Sequence, residues 1–195
     1  PSRREVLRRR LQRLAHAALL LILPLCGYWY GRASTIERYS RGFADLADTV
    51  AKHQRDLPVE VAGDQQVVRS WFNGKVPFAV RLPRLEPEAA LRGGRLVNLG
   101  SREAAYLVYD HLGRNQREKV SVFVFDASDG NRSLLLPLQA LDARRQMIGS
   151  HEVILQGTHG YSIAVFRDHG LGYAITGDIE EPELLRLISA AVARP

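Results

Sequence analysis

Between Arg13 and Arg32 the chain reads LAHAALLLILPLCGYWYG, a stretch with no charge apart from what His16 can carry. As a helix this stretch spans roughly 27 Å at about 1.5 Å per residue, which just crosses a bilayer core. Its near end is an arginine cluster, Arg3, Arg4, Arg8, Arg9, Arg10 and Arg13, and its far end is Tyr28, Trp29 and Tyr30. Arginines on one flank and headgroup-level aromatics on the other orient such a helix with the arginines in the cytoplasm. The expected organisation is therefore a basic cytoplasmic arm at 1–13, a transmembrane helix at 14–31, and everything from residue 32 onward outside the cytoplasm. Pro24 kinks a membrane helix but does not forbid it.

Two other readings compete for this stretch. A cleaved secretory signal has the same charge order, and Gly31-Arg32-Ala33 before Ser34 faintly resembles its cleavage site. The long head and the central arginine count against it. A lipoprotein signal needs a small residue before Cys26, where Leu25 stands. The third reading is a soluble core helix, which the length and the flanks disfavour.

The same segment accounts for the charge. The chain carries 27 basic and 21 acidic side chains, a formal +6. Six of the arginines and one acid, Glu5, lie in the arm at 1–13, so the arm alone is +5; the rest of the chain holds 21 basic and 20 acidic side chains. A charge confined to one terminal arm is an orienting signal that meets anionic membrane lipid, and it excludes a basic nucleic-acid face.

Cys26 is the single cysteine. An intramolecular disulfide and a cysteine-rich zinc site are therefore excluded within this chain. A disulfide to a second copy across a helix pair is open, and an inert thiol is the commoner outcome.

Residues 32–55 read as a stalk or first helix: Ile36, Tyr39, Phe43, Leu46 and Val50 recur at spacings of three and four, and Ser34 with Glu37 forms a capping box. Its apolar stripe offers a homodimer contact, as does the membrane helix, or packs on the domain's own sheet. Asp56-Leu57-Pro58 breaks the helix. Residues 56–195 are expected to form the exported domain. Pro58 to Val61 is a short extended piece. Asp64 caps a helix through Val67, Val68, Trp71 and Phe72, ended by Asn73-Gly74. Val76 to Pro87, with three prolines, is an irregular crossing.

Strands are expected at Arg95–Leu99, Ala104–Val108, Val120–Val124, Glu152–Leu155, Tyr161–Phe166 and Gly172–Thr176, with Asp168-His169-Gly170 turning the last hairpin. Residues 126–150 read as a long loop, and Glu181-Pro182-Glu183 opens a final helix. Strands flanked by helices without regular alternation predict an α+β fold with an antiparallel sheet of about five or six strands, one face covered by the terminal helices.

Candidate chemistry is sparse. His16, His53, His111, His151, His159 and His169 form no HExxH or other close ligand pair. His151 and His159 could approach across a hairpin, without a third ligand type at useful spacing. Asp168 and His169 are neighbours whose side chains should point apart, a poor acid–base pair. No GxSxG and no P-loop ending occurs, and the Leu91-Arg-Gly-Gly-Arg95 piece reads as a turn. Tyr106, Tyr109, Phe123 and Phe125 read as core and cross-strand pairs before a stacking platform. These residues point to no enzyme, no cofactor and no metal.

Several blocks nonetheless match a pattern: Asp56-Leu-Pro-Val-Glu-Val61, Val68-Arg-Ser-Trp-Phe-Asn-Gly-Lys-Val-Pro-Phe78, Leu91-Arg-Gly-Gly-Arg-Leu-Val97, Ala104-Ala-Tyr-Leu-Val-Tyr109, Gly160-Tyr161 through Phe166, and Gly172-Tyr-Ala-Ile-Thr-Gly-Asp178. In order and spacing they resemble the exported domain of bacterial single-pass transmembrane anti-sigma factors, over about residues 36–192. The matching positions are Pro58, Val59, Val61, Trp71, Phe72, Gly74, Lys75, Pro77, Gly93, Gly94, Arg95, Tyr109, Tyr161, Tyr173 and Gly177, all read as structural.

The resemblance implies a regulator in the bacterial inner membrane: a cytoplasmic N-terminal module, often zinc-binding, holds a sigma factor while a periplasmic domain senses the envelope. The module's His-x3-Cys-x2-Cys signature is missing, and the arm at 1–13 is too short to mask a sigma factor. The chain is then either a fragment of a longer anti-sigma factor or a short form, and a sigma factor is its partner only if an upstream module exists; otherwise the partner is another membrane protein. The alternative is an accessory or structural subunit of a membrane complex, docked through the same anchor and domain.

Overall fold

The computed structural model describes residues 47–100, 102–113, 117–128, 143–158 and 160–192. The arm at 1–13, the segment at 14–31 with Tyr28, Trp29 and Tyr30, and the stalk as far as residue 46 lie outside the described residues, as does His159. No helix among the described residues is long and apolar enough to cross a membrane.

The fold is α+β, built on one antiparallel sheet of seven strands. After helix α1 (47–54) and α2 (Gln65–Trp71) come β1 (Ala89–Leu99), β2 (Arg102–Leu112), β3 (Arg117–Asp126), β4 (Arg144–Ile148), β5 (His151–Thr158), β6 (Tyr161–Asp168) and β7 (Leu171–Gly177). Helix α3 (Glu181–Val192) follows. The strand order is β1-β2-β3-β7-β6-β5-β4. All six expected strands are present. The seventh, β4, falls inside the stretch expected to be a loop. Its residues, Arg-Arg-Gln-Met-Ile, carry no apolar alternation because it is the outermost strand, held by its ladder to β5.

Leu91 to Arg95, expected as a turn, lies inside β1, where the register to β2 shifts between Leu91 and Gly93. Arg92, just before Gly93, is the extra residue of a bulge, which bends a strand without ending it. The β6–β7 hairpin turns as expected: His169 and Gly170 both have positive φ. This is the two-residue form whose twist matches the strands.

The terminal helices sit on opposite faces of the sheet, not on one. Leu184, Leu187 and Ile188 of α3 pack with Val68 and Phe72 on a face built from Ala105, Leu107, Tyr109, Val120, Val122 and Val124. Val50 of α1 packs on the other, with Val97, Tyr106, Phe123, Ile163 and Val165. Because both faces are covered, the central strands are apolar in succession, as in Val-Phe-Val-Phe of β3, and not strictly alternating. Residues that are neighbours in sequence thus serve different cores.

Candidate functional site

Most of the pattern-matching residues fall into two groups. The first surrounds the β1 bulge. Val61 forms an isolated bridge with Gly94, donating its N–H to the Gly94 carbonyl at 3.0 Å and accepting from the Gly94 N–H at 2.9 Å. Arg95 donates to the Pro58 carbonyl at 3.0 Å and to Glu60 at 3.1 Å, and the Leu96 N–H reaches the second Glu60 oxygen at 3.2 Å. Gly93 has to be glycine: a Cβ there would stand 2.2 Å from the Val61 carbonyl oxygen and 3.2 Å from the Val59 side chain.

On the other side of the bulge, Phe72 lies buried against Gly94, where a Cβ would meet its ring at 3.0 Å. Trp71 stands edge-on to Phe72 with ring centres 5.0 Å apart, and the Lys75 ammonium sits 3.6 Å from the centre of the Trp71 ring. Gly74, with positive φ, turns the chain so that Lys75 can return to that ring. Pro77 is exposed at the start of the crossing, while its neighbours Val76 and Val80 are buried.

The second group is two tyrosines that tether that crossing. Tyr109 donates to the Pro83 carbonyl at 3.0 Å and Tyr173 to the Arg81 carbonyl at 3.3 Å. Burial pushes both phenols up; Tyr173 reaches about 12, with the negative charge of Asp168 adding to burial and Arg81 opposing it. The remaining two stand apart: Tyr161, on the α1 side, is edge-on to His53 at 5.4 Å, and Gly177 pairs with Val120 in the β3–β7 ladder.

The tethered crossing forms one wall of a cleft of about 480 Å³, closed by Ala191 and Val192 of α3 and by the β4–β5 and β6–β7 turns. Its floor is the stacked pair Phe166 and Tyr173, 5.0 Å apart with ring planes at 9°. Arg81, Arg84 and His169 are exposed at its rim. Asp168 pairs at 3.0 Å with His151 Nε2 and lies 3.6 Å from its neighbour His169. The two neighbours, expected to point apart, do approach each other, but the acid's shorter contact is with His151 on the adjacent strand, a pairing that adjacency in sequence conceals. Ser150 Oγ is 3.3 Å from His151 Nδ1. Guanidinium groups around an aromatic floor suit a ligand that joins a carboxylate or phosphate to a ring or apolar body.

On the opposite face, His53 Nδ1, Ser121 Oγ and Tyr106 OH form a buried chain, with 2.8 Å and 2.9 Å separations. Lys119 closes it by donating to the His53 carbonyl and, at 3.0 Å, to Asp56. This network joins α1 to the sheet.

Comparisons with protein-family models, curated proteins and solved structures return no match to this chain.

Proposed function

We propose that this chain is a membrane-anchored, non-enzymatic regulator of the anti-sigma type, held in a bacterial inner membrane by residues 14–31, whose periplasmic domain binds an anionic, ring-bearing or apolar signal in the cleft above Phe166 and Tyr173. The main support is convergence. Pro58, Val59, Val61, Phe72, Gly93, Gly94 and Arg95 are scattered along the sequence, yet meet around one bulge. Tyr109 and Tyr173 both hold the wall of the cleft described above. Shared positions that cooperate in one tertiary feature are what a common domain would leave.

The topology is tested by adding protease to cells with opened outer envelopes. Digestion of residues 32–195 is expected, and protection overturns the assignment. Regulation is tested on the reading frame upstream of Pro1: a His-x3-Cys-x2-Cys module there supports sigma-factor binding, and a stop codon sinks it.

A second reading, an accessory subunit of a membrane complex, is favoured by β4. It is the last strand of the sheet, pairs only with β5 among the described residues, and exposes Met147. A partner strand could add to that edge. Purification in mild detergent separates the two: stoichiometric company favours the subunit, a lone species the regulator.

A further inference from the structure

We propose that His111, Glu118 and Glu183 form a binding site for a divalent transition-metal ion. One ligand atom from each lies within 4.8 Å of the other two. The three come from separate elements. His111 on β2 is the direct partner of Glu118 on β3, and Glu183 stands in the first turn of α3. On the face beneath α3, the inward rows of β2 and β3 run Ala105, Leu107, Tyr109 and Val124, Val122, Val120. The same alternation continued gives His111 and Glu118, so two polar side chains end otherwise apolar rows beside the first turn of α3.

The chemistry of each group fits a cation. His111 is 8% exposed, and its Nδ1 lies 2.7 Å from the Glu88 carbonyl. A carbonyl only accepts, so Nδ1 carries a proton, and in the neutral imidazole Nε2 is then the atom with the lone pair, the arrangement that orients an imidazole for a metal. Glu118 Oε2 is buried with no hydrogen-bond partner among the described residues. Leaving such an atom unpaired is costly unless something compensates it. Gly113 leaves room for that carboxylate, since a Cβ there would lie 2.8 Å from it. An acid at a helix N-terminus is favourable by itself and accounts for Glu183. It explains neither the oriented imidazole nor the orphaned oxygen.

One imidazole nitrogen and two carboxylate oxygens, without thiolate, suit zinc, manganese, cobalt or ferrous iron. Metal–ligand bonds of about 2.0–2.2 Å place ligand atoms roughly 3.4 Å apart around a tetrahedral ion, so binding draws these side chains together by no more than about 1.4 Å. Three protein ligands leave a coordination position open. The ion would tie the β2–β3 hairpin to the start of α3.

The test uses the full chain in detergent, stripped with a chelator and titrated calorimetrically with zinc, with cobalt as a spectroscopic probe. One equivalent should bind and raise the melting temperature. Glu118→Gln and Glu183→Gln, which keep side-chain shape, should each weaken zinc by at least about 10–100-fold while the far-ultraviolet circular dichroism is unchanged. His169→Ala, at the cleft, should leave the affinity unaltered. Absence of saturable zinc binding overturns the proposal. So does wild-type affinity in both glutamine variants, or loss of binding in His169→Ala alone.

Discussion

His53 Nδ1 on α1 and Ser121 Oγ on β3 lie 2.8 Å apart in the core, and Tyr106 shares the same hydroxyl at 2.9 Å. The contact joins a helix to the middle of the sheet through a titratable group. Burial, then the nearby Lys119 charge, pushes the His53 imidazole down from 6.5 to about 4, against weaker opposition from Asp178 and Asp56.

A histidine held neutral in this way makes stability depend on pH. Between about 4 and 6.5 the unfolded chain binds a proton that the folded chain does not, so stability is complete above about 6.5 and is lost as pH falls toward 4. Urea unfolding across that window should show a loss on the order of 2 kcal/mol. His53→Gln, which keeps hydrogen-bonding capacity without titrating, should lose less. A variant whose pH profile matched the wild type would remove His53 as the cause.

Gly172 and Phe125 face each other across the β3–β7 ladder so closely that a Cβ on residue 172 would stand 2.2 Å from the ring. Gly172→Ala should therefore destabilise by about 1–3 kcal/mol or more, as overpacking does. Phe125→Leu should recover part of that loss when combined with it. Additive costs in the double-mutant cycle would contradict the contact.

Around the β1 bulge, two substitutions should separate by size. Gly93→Ala drives a methyl into the Val61 carbonyl and should cost several kcal/mol, releasing the 58–61 segment to proteolysis. Lys75→Ala removes an exposed cation from the Trp71 ring and should cost about 0.5–1 kcal/mol. Denaturant melts of the two variants check the order, and equal effects would contradict it.

The tyrosine tethers should also differ. Tyr109→Phe removes a buried bond of 3.0 Å and Tyr173→Phe a longer one of 3.3 Å. Costs of about 1–2 kcal/mol and about 0.5–1 kcal/mol are expected. Limited proteolysis near Arg81 and Arg84 should accelerate in both, most in the double variant. Unchanged cleavage would mean that the crossing is held by its apolar packing, Val76, Val80 and Leu85 among it, without the tethers.

Most elements were legible because their signals are local. Asp64 announces α2 and accepts the Val67 N–H at 2.8 Å, and the Asp168-His169-Gly170 turn follows from residues that tolerate positive φ. β4 was not legible, since Arg144 and Arg145 belong to a strand only through their pairing with β5. The Gly93-Gly94 pair looked like a turn because glycine marks both turns and bulges, and only the ladder to β2 distinguishes them.

The site residues divide along the same line. Sequence by itself determined the span between Arg13 and Arg32 that carries no charge apart from His16, and six strands with most of the breaks between them, because period, proline, glycine and caps act over a few residues. Only the tertiary structure decided that α1 and α3 cover opposite faces, that Asp168 pairs with His151, and that His111 and Glu118 converge under Glu183. Such contacts depend on strand order and register, which arise when both faces of the sheet are buried at once and which no short stretch of chain encodes.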